Sequence, residues 1–133
     1  MQYTNENYFI YDDVERVDLP KVKELLSISY WASERTIDVI EKSVENSECF
    51  SLYDGEIQIG FARVVSDFST FGYIADVIVD PDYRGQGLGK WLVETVVNDP
   101  RWKGKFLMLA TDDAHGLYQK HGFKQSPKFM GVY

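Results

Sequence analysis

Residues 71–97, FGYIADVIVDPDYRGQGLGKWLVETVV, constrain this chain more than any other stretch. The nearly unbroken apolar run at its start reads as a strand buried on both faces. It stops at Asp80-Pro81, passes through three alternate glycines (Gly85, Gly87 and Gly89), and resumes as an amphipathic helix over residues 88–97. A further apolar strand, KFLMLA at 105–110, comes next. Strand, crossover helix and strand is the connection that joins parallel neighbours in one sheet, so part of the sheet is expected to be parallel. Glycine at the opening of a helix costs stability. A tight turn, close packing, or a ligand that touches the backbone would each give it a reason to be there.

Upstream the pattern differs. Residues 7–17 (NYFIYDDVERV) read as a first strand and a polar turn. After Pro20, the residues Val22, Leu25, Leu26 and Ser29 share one face of a short helix, and Ser33 is the expected N-cap of a second helix striped by Ile37, Ile40 and Val44. Residues 49–67 form two strands about an Asp54-Gly55 turn. A last helix is expected over 112–121, followed by a tail with one or two edge strands, partial or exchanged with a second copy in a homodimer. The order β-α-α-β-β-β-α-β-α-(β) is an α/β (α+β) arrangement, and 133 residues of which 44% are hydrophobic suffice for one domain with a single core.

Several function classes drop out. No apolar run reaches the length of a membrane span, and MQYTNENYF lacks a basic n-region followed by an apolar stretch. Cys49 is the only cysteine, which excludes an intrachain disulfide and a zinc framework. The expectation is a cytoplasmic protein with no membrane partner and no metal. A net charge of −7 argues against nucleic-acid binding through phosphate neutralisation, while leaving room for a local basic patch that holds one anion.

The glycine segment is not a Walker A loop, because only three residues separate Gly85 from Gly89-Lys90 and Trp91 supplies no hydroxyl for magnesium. Nor is it a dinucleotide fingerprint: the spacing is G-x-G-x-G, and the strand before it follows two antiparallel ones. The reading that remains is a pyrophosphate held without metal at a helix N-terminus. Free amides of Gln86, Gly87, Leu88 and Gly89 would converge on the anion, with Arg84 and Lys90 neutralising charge from the flanks.

At Arg84-Gly85-Gln86-Gly87-Leu88-Gly89 the chain resembles the GNAT superfamily of acyl-CoA-dependent N-acyltransferases, whose [Q/R]-x-x-G-x-[G/A] motif is filled by Arg84, Gly87 and Gly89. Ala114-His115-Gly116-Leu117-Tyr118-Gln119-Lys120-His121-Gly122-Phe123 is similar to that family's second signature, A-x-x-L-Y-x-x-x-G-F. The resemblance implies the GNAT fold over residues 1–133: a mixed central sheet of about six to seven strands flanked by about four helices. It implies acetyl-CoA as co-substrate, with its pyrophosphate on the backbone of residues 86–90 and its pantetheine arm along Val77, Ile78 and Val79. The amide of Ile78 or Val79 would then polarise the thioester carbonyl.

Acetyl transfer to a primary amine, on a small molecule or a peptide, needs a proton taken from the amine and a proton offered to the departing thiolate. Tyr118 stands where the family carries its general acid. Asp76, a carboxylate in an apolar strand, is either the base or a structural group paired with Arg63 on the neighbouring strand. Thr111 stands where many relatives carry an asparagine that touches pantetheine, and it is equally placed to cap the last helix. Gly116 inside a helix suggests close approach by the coenzyme or another element. Tyr30 and Trp31, at the joint of the first two helices, are candidates for the acceptor wall, with cation–π attraction for a charged amine. The competing reading is a non-catalytic acyl-CoA sensor or interaction module of the same fold, because binding and chemistry reside in different residues.

Overall fold

The computed structural model describes residues 1–132. Six strands, β1 (Gln2–Asn5), β2 (Tyr8–Tyr11), β3 (Glu48–Asp54), β4 (Ile57–Ser66), β5 (Phe71–Val79) and β6 (Phe106–Leu109), lie in the sheet in sequence order. Every neighbouring pair is antiparallel except β5–β6, which is parallel. The crossover that makes it so is α3 (Leu88–Val97); the other helices are α1 (Leu19–Leu26), α2 (Ile37–Glu45) and α4 (His115–Gln119). No helix among the described residues is long and apolar enough to cross a membrane.

The sheet is covered on both faces by helices of different origin. Val22, Leu25, Leu26, Ile40 and Val44 of α1 and α2 pack with Cys49, Phe61 and Ile78 on one face. Leu88, Leu92 and Val96 of α3 pack with Ile10, Phe50, Leu52, Ile59, Val64, Ile74 and Val79 on the other. Ile74 and Ile78 are four apart, so an unbroken strand would turn both to the same side. They lie on opposite sides because Asp76 and Val77 together face the single residue Ala62, a β-bulge bounded by the pairs Ala75–Arg63 and Ile78–Phe61. Asp76 carries the cost of that extra residue with φ +55.

Some boundaries depart from the sequence reading. The first strand is a hairpin, β1–β2, whose outer strand QYTN is too polar to register as a strand by pattern and sits at the sheet edge. Thr36, not Ser33, caps α2: its Oγ1 accepts from the Val39 amide at 3.3 Å. Ser29 and Ala32 are instead drawn into the core, where Ser29 Oγ accepts from the Ala32 amide and donates to the Leu26 carbonyl. β5 alternates buried and half-buried residues, and its half-buried Tyr73, Ala75 and Val77 line a cavity. α4 is shorter than 112–121. No strand forms after it among the described residues, and Tyr133 at the end of that tail lies outside them.

Candidate active site

The bulge ends the parallel pairing. β6 runs beside β5 only from Phe71–Phe106 to Ile74–Leu109, and beyond Ile74 the two strands separate. Two cavities fill the gap. The first, about 500 Å³, lies between Val77–Val79, the glycine loop and α4; the second, about 390 Å³, lies between β5, the end of β6 and Arg35. They share Tyr30, Trp31, Val77, Asp113, Ala114 and Tyr118, so these six residues mark their junction.

On one side of the first cavity stands the opening of α3. Its first helical hydrogen bond runs from the Trp91 amide to the Gly87 carbonyl at 3.0 Å. Among the described residues the amides of residues 85–90 have no protein acceptor, so they form a patch of free donors at the positive end of a helix. Gly85 and Gly87 hold φ of +82 and +80, where a side chain is strained. Gly89 has no such constraint, and a Cβ there would meet only Val79 Cγ2 at 3.8 Å. Neither backbone nor packing requires glycine at 89, so the open space above it is what glycine preserves. Arg84 donates from Nε to the Val79 carbonyl at 3.1 Å, while Lys90 is exposed, and neither enters an ion pair among the described residues. This set of amides and two cations suits a diphosphate. The Gln86 side chain points elsewhere, its Oε1 accepting from the Tyr8 hydroxyl at 3.2 Å.

On the opposite wall, one of the two amides that sequence left open faces the gap. The Asp80 amide donates to the Ile59 carbonyl at 2.7 Å, toward β4. Successive residues of a strand direct their polar groups to opposite edges, so the Val79 amide faces the gap. The Val79 carbonyl agrees, since it meets Arg84 there. Ile78 faces β4, its carbonyl lying 3.1 Å from where a Cβ on Gly60 would sit. The donor available to a carbonyl in the gap is Val79.

Tyr118 closes the junction from α4. It is 8% exposed, packs edge-on against Phe123 at 5.9 Å, and its hydroxyl has no hydrogen-bond partner among the described residues. Burial, with the nearby Tyr30 and Asp113, pushes its phenol up to about 12. Thr111 lines the second cavity only, and its Oγ1 accepts from the Ala114 amide at 3.0 Å, bracing the turn into α4. Gly116 is exposed, lines neither cavity, and has nothing within 4 Å of a Cβ position, so no protein element explains the glycine.

Tyr30 and Trp31 stand edge to face at 5.0 Å over the junction. The Tyr30 hydroxyl accepts from the Asp112 amide at 3.0 Å, which ties the α1–α2 connection to the loop before α4. Trp31 Nε1 donates to Asp76 Oδ1 at 3.0 Å. The other carboxylate oxygen of Asp76 accepts from Arg35 Nη1 at 2.8 Å and from Arg63 Nε at 2.9 Å, and the side chain is 2% exposed. Pattern reading named Arg63 as a partner but missed Arg35, 41 residues away in sequence, and it missed Asp112 and Asp113, which look like ordinary turn residues. No local signal marks these three. The bulge and the strand separation bring them together.

A family model described as an acetyltransferase (GNAT) domain matches residues 45–125, from β3 through the glycine loop to α4. GCN5-related N-acetyltransferase 2, chloroplastic, of Arabidopsis thaliana is 38% identical over 85% of this chain and 46% of its own length. The ycf52-like N-acetyltransferase of Prochlorococcus marinus is 32% identical over 94% of this chain and 73% of its own. Among solved structures, a GNAT-family protein of Xanthomonas campestris pv. campestris superposes with a TM-score of 0.90 at 32% identity, covering 98% of this chain and 95% of that one. The match spans both the sheet that opens the gap and the loop that faces it, and on that ground the chain belongs to the GNAT family of acetyltransferases.

Proposed function

We propose that this protein transfers an acetyl group from acetyl-CoA to a primary amine by direct attack. The observation that carries the reading is Tyr118, a largely buried side chain at the junction of the two cavities whose hydroxyl has no partner among the described residues. Acetyl-CoA would lie in the first cavity, its diphosphate on the amides of residues 85–90 with Arg84 and Lys90 beside it, and its pantetheine along Val77–Val79. The Val79 amide would donate to the thioester oxygen as it gains charge. The amine enters as an ammonium and loses one proton to solvent. Its nitrogen then bonds to the thioester carbon and the C–S bond breaks. Tyr118 gives its proton to the sulfur and regains one from the nitrogen through solvent. The products are the acetamide and free coenzyme A.

The high phenol value supports this role. A tyrosine raised toward 12 stays protonated at every physiological pH and remains a donor. Asp76 is assigned a different task from that of a base. With three donors on its two oxygens it anchors Trp31 and Arg35 to the bulge, and so holds the acceptor wall.

Tyr118→Phe tests the reading. Thiol release with acetyl-CoA and a panel of amines should fall about a hundredfold or more in kcat, in line with general-acid contributions, while calorimetry shows acetyl-CoA affinity little changed. Unchanged turnover would remove Tyr118 from the mechanism. The engagement of Asp76 leaves the sensor reading a specific observation in its favour; it predicts acetyl-CoA binding with no thiol release on any amine.

A further inference from the structure

Three carboxylates line the second cavity, and they differ in what they touch. Asp76 is consumed by Arg35, Arg63 and Trp31. Asp112 and Asp113 are exposed and enter no ion pair among the described residues. Their backbones are held: the Asp112 amide donates to the Tyr30 hydroxyl, and Thr111 Oγ1 accepts from the amides of Asp113 and Ala114. The cation of this lining, Arg35, is aimed at Asp76. The rings of Tyr30, Trp31 and Tyr73 line the same cavity.

Two neighbouring acids do not by themselves make a site. The independent observation is Tyr118, more than nine-tenths buried, its hydroxyl unpartnered among the described residues, lining both cavities where Asp113 also lines both. The reacting nitrogen must reach the thioester carbon while Tyr118 reaches the sulfur, so it has to pass beside Asp113. The Asp113 charge is felt at this point, since it is one of the groups that hold the proton on Tyr118.

We propose that Asp113 and Asp112 are the acceptor-binding end of the site and select primary amines that carry a second positive charge. The inference rests on the acetyl-transfer reading above. Asp113 draws the reacting ammonium to the junction, and the aromatic rings add cation–π attraction. When that nitrogen becomes neutral, the second ammonium stays on Asp112 and keeps the acceptor in place. A monoamine lacks the second contact. An amino acid sets its carboxylate against two others and is repelled.

Three acceptors of one chain length separate these cases: butane-1,4-diamine, butylamine and 4-aminobutanoate. Each is titrated calorimetrically into the protein saturated with coenzyme A, with acetyl-CoA titrated in parallel into the free protein. The diamine is expected to bind about tenfold tighter than butylamine, the scale of one added charge contact, and 4-aminobutanoate weakest. Asp112→Asn should bring the diamine close to butylamine, while Asp113→Asn should weaken the diamine and butylamine alike. Equal binding of the three compounds, an undiminished diamine preference in Asp112→Asn, or unchanged binding of both amines in Asp113→Asn overturns the proposal. If acetyl-CoA binds while the ranking is flat, only this inference falls; if acetyl-CoA itself fails to bind, the proposed reaction falls and takes this inference with it.

Discussion

Replacing Asp76 by asparagine separates an anchor from a base. Asparagine keeps the side-chain shape and tolerates φ +55, so the backbone contributes little to the change. What disappears is the charge that satisfies Arg35 Nη1 at 2.8 Å and Arg63 Nε at 2.9 Å. Removing one partner of a buried ion pair costs roughly 3–5 kcal/mol. The two arginine side chains keep 23% and 13% of their exposure and recover some hydration, so about 2–4 kcal/mol is the expected loss. For a domain of this size each kcal/mol moves Tm by about 3–5 °C, which puts the fall near 10 °C. Thermal unfolding followed by circular dichroism measures it. Steady-state kinetics on the same variant should show KM for the amine rising more than kcat falls, because Trp31 and Arg35 lose their tether. The base reading expects the reverse: Tm unmoved and kcat down by a factor of about 10²–10⁴ with an altered pH profile. That result would refute the anchor.

Other outcomes follow from the same geometry. Cys49 and Tyr118 both have folded values pushed up to about 12, from ordinary values of 9.0 and 10.0. Their contribution to stability is therefore full below pH 9 and is lost as pH rises toward 12; an alkaline titration of unfolding free energy should decline by several kcal/mol across that window. Tyr118→Phe and Cys49→Ala should each flatten it. Gly116→Ala, whose Cβ meets open space in a helix, should raise the Tm of the free protein by a few °C, on the order of 1 kcal/mol. If the coenzyme approaches there, the same variant weakens acetyl-CoA binding in calorimetry. Arg84→Gln removes a cation from the glycine loop proposed to hold the diphosphate and should raise the acetyl-CoA Kd about tenfold or more, with a weaker salt dependence than the parent. Gly87→Ala has room for its Cβ but not the backbone angle, so about 1–2 kcal/mol of strain should appear as a lower Tm.

The pattern of residues 71–110 was enough to require a strand, a helical crossover and a parallel return, because hydrophobic period and glycine placement act over a few residues and can be read locally. The same locality misled at the edges. QYTN is too polar to announce β1, and the cap of α2 moved to Thr36 because Ser29 and Ala32 are drawn into the core, a demand that comes from outside the segment.

The sequence by itself determined the sheet order around the crossover, the helix opened by free amides, and the family to which those elements belong. Tertiary structure alone decided which groups meet in the gap. One extra residue at Asp76 reverses the facing of everything after it. That reversal, with the parting of β5 from β6, turns the Val79 amide to the gap, commits Asp76 to arginines from two other elements, and leaves Asp113 beside Tyr118. Which side chains share a site depends on register and closure between distant segments, and no local pattern encodes either.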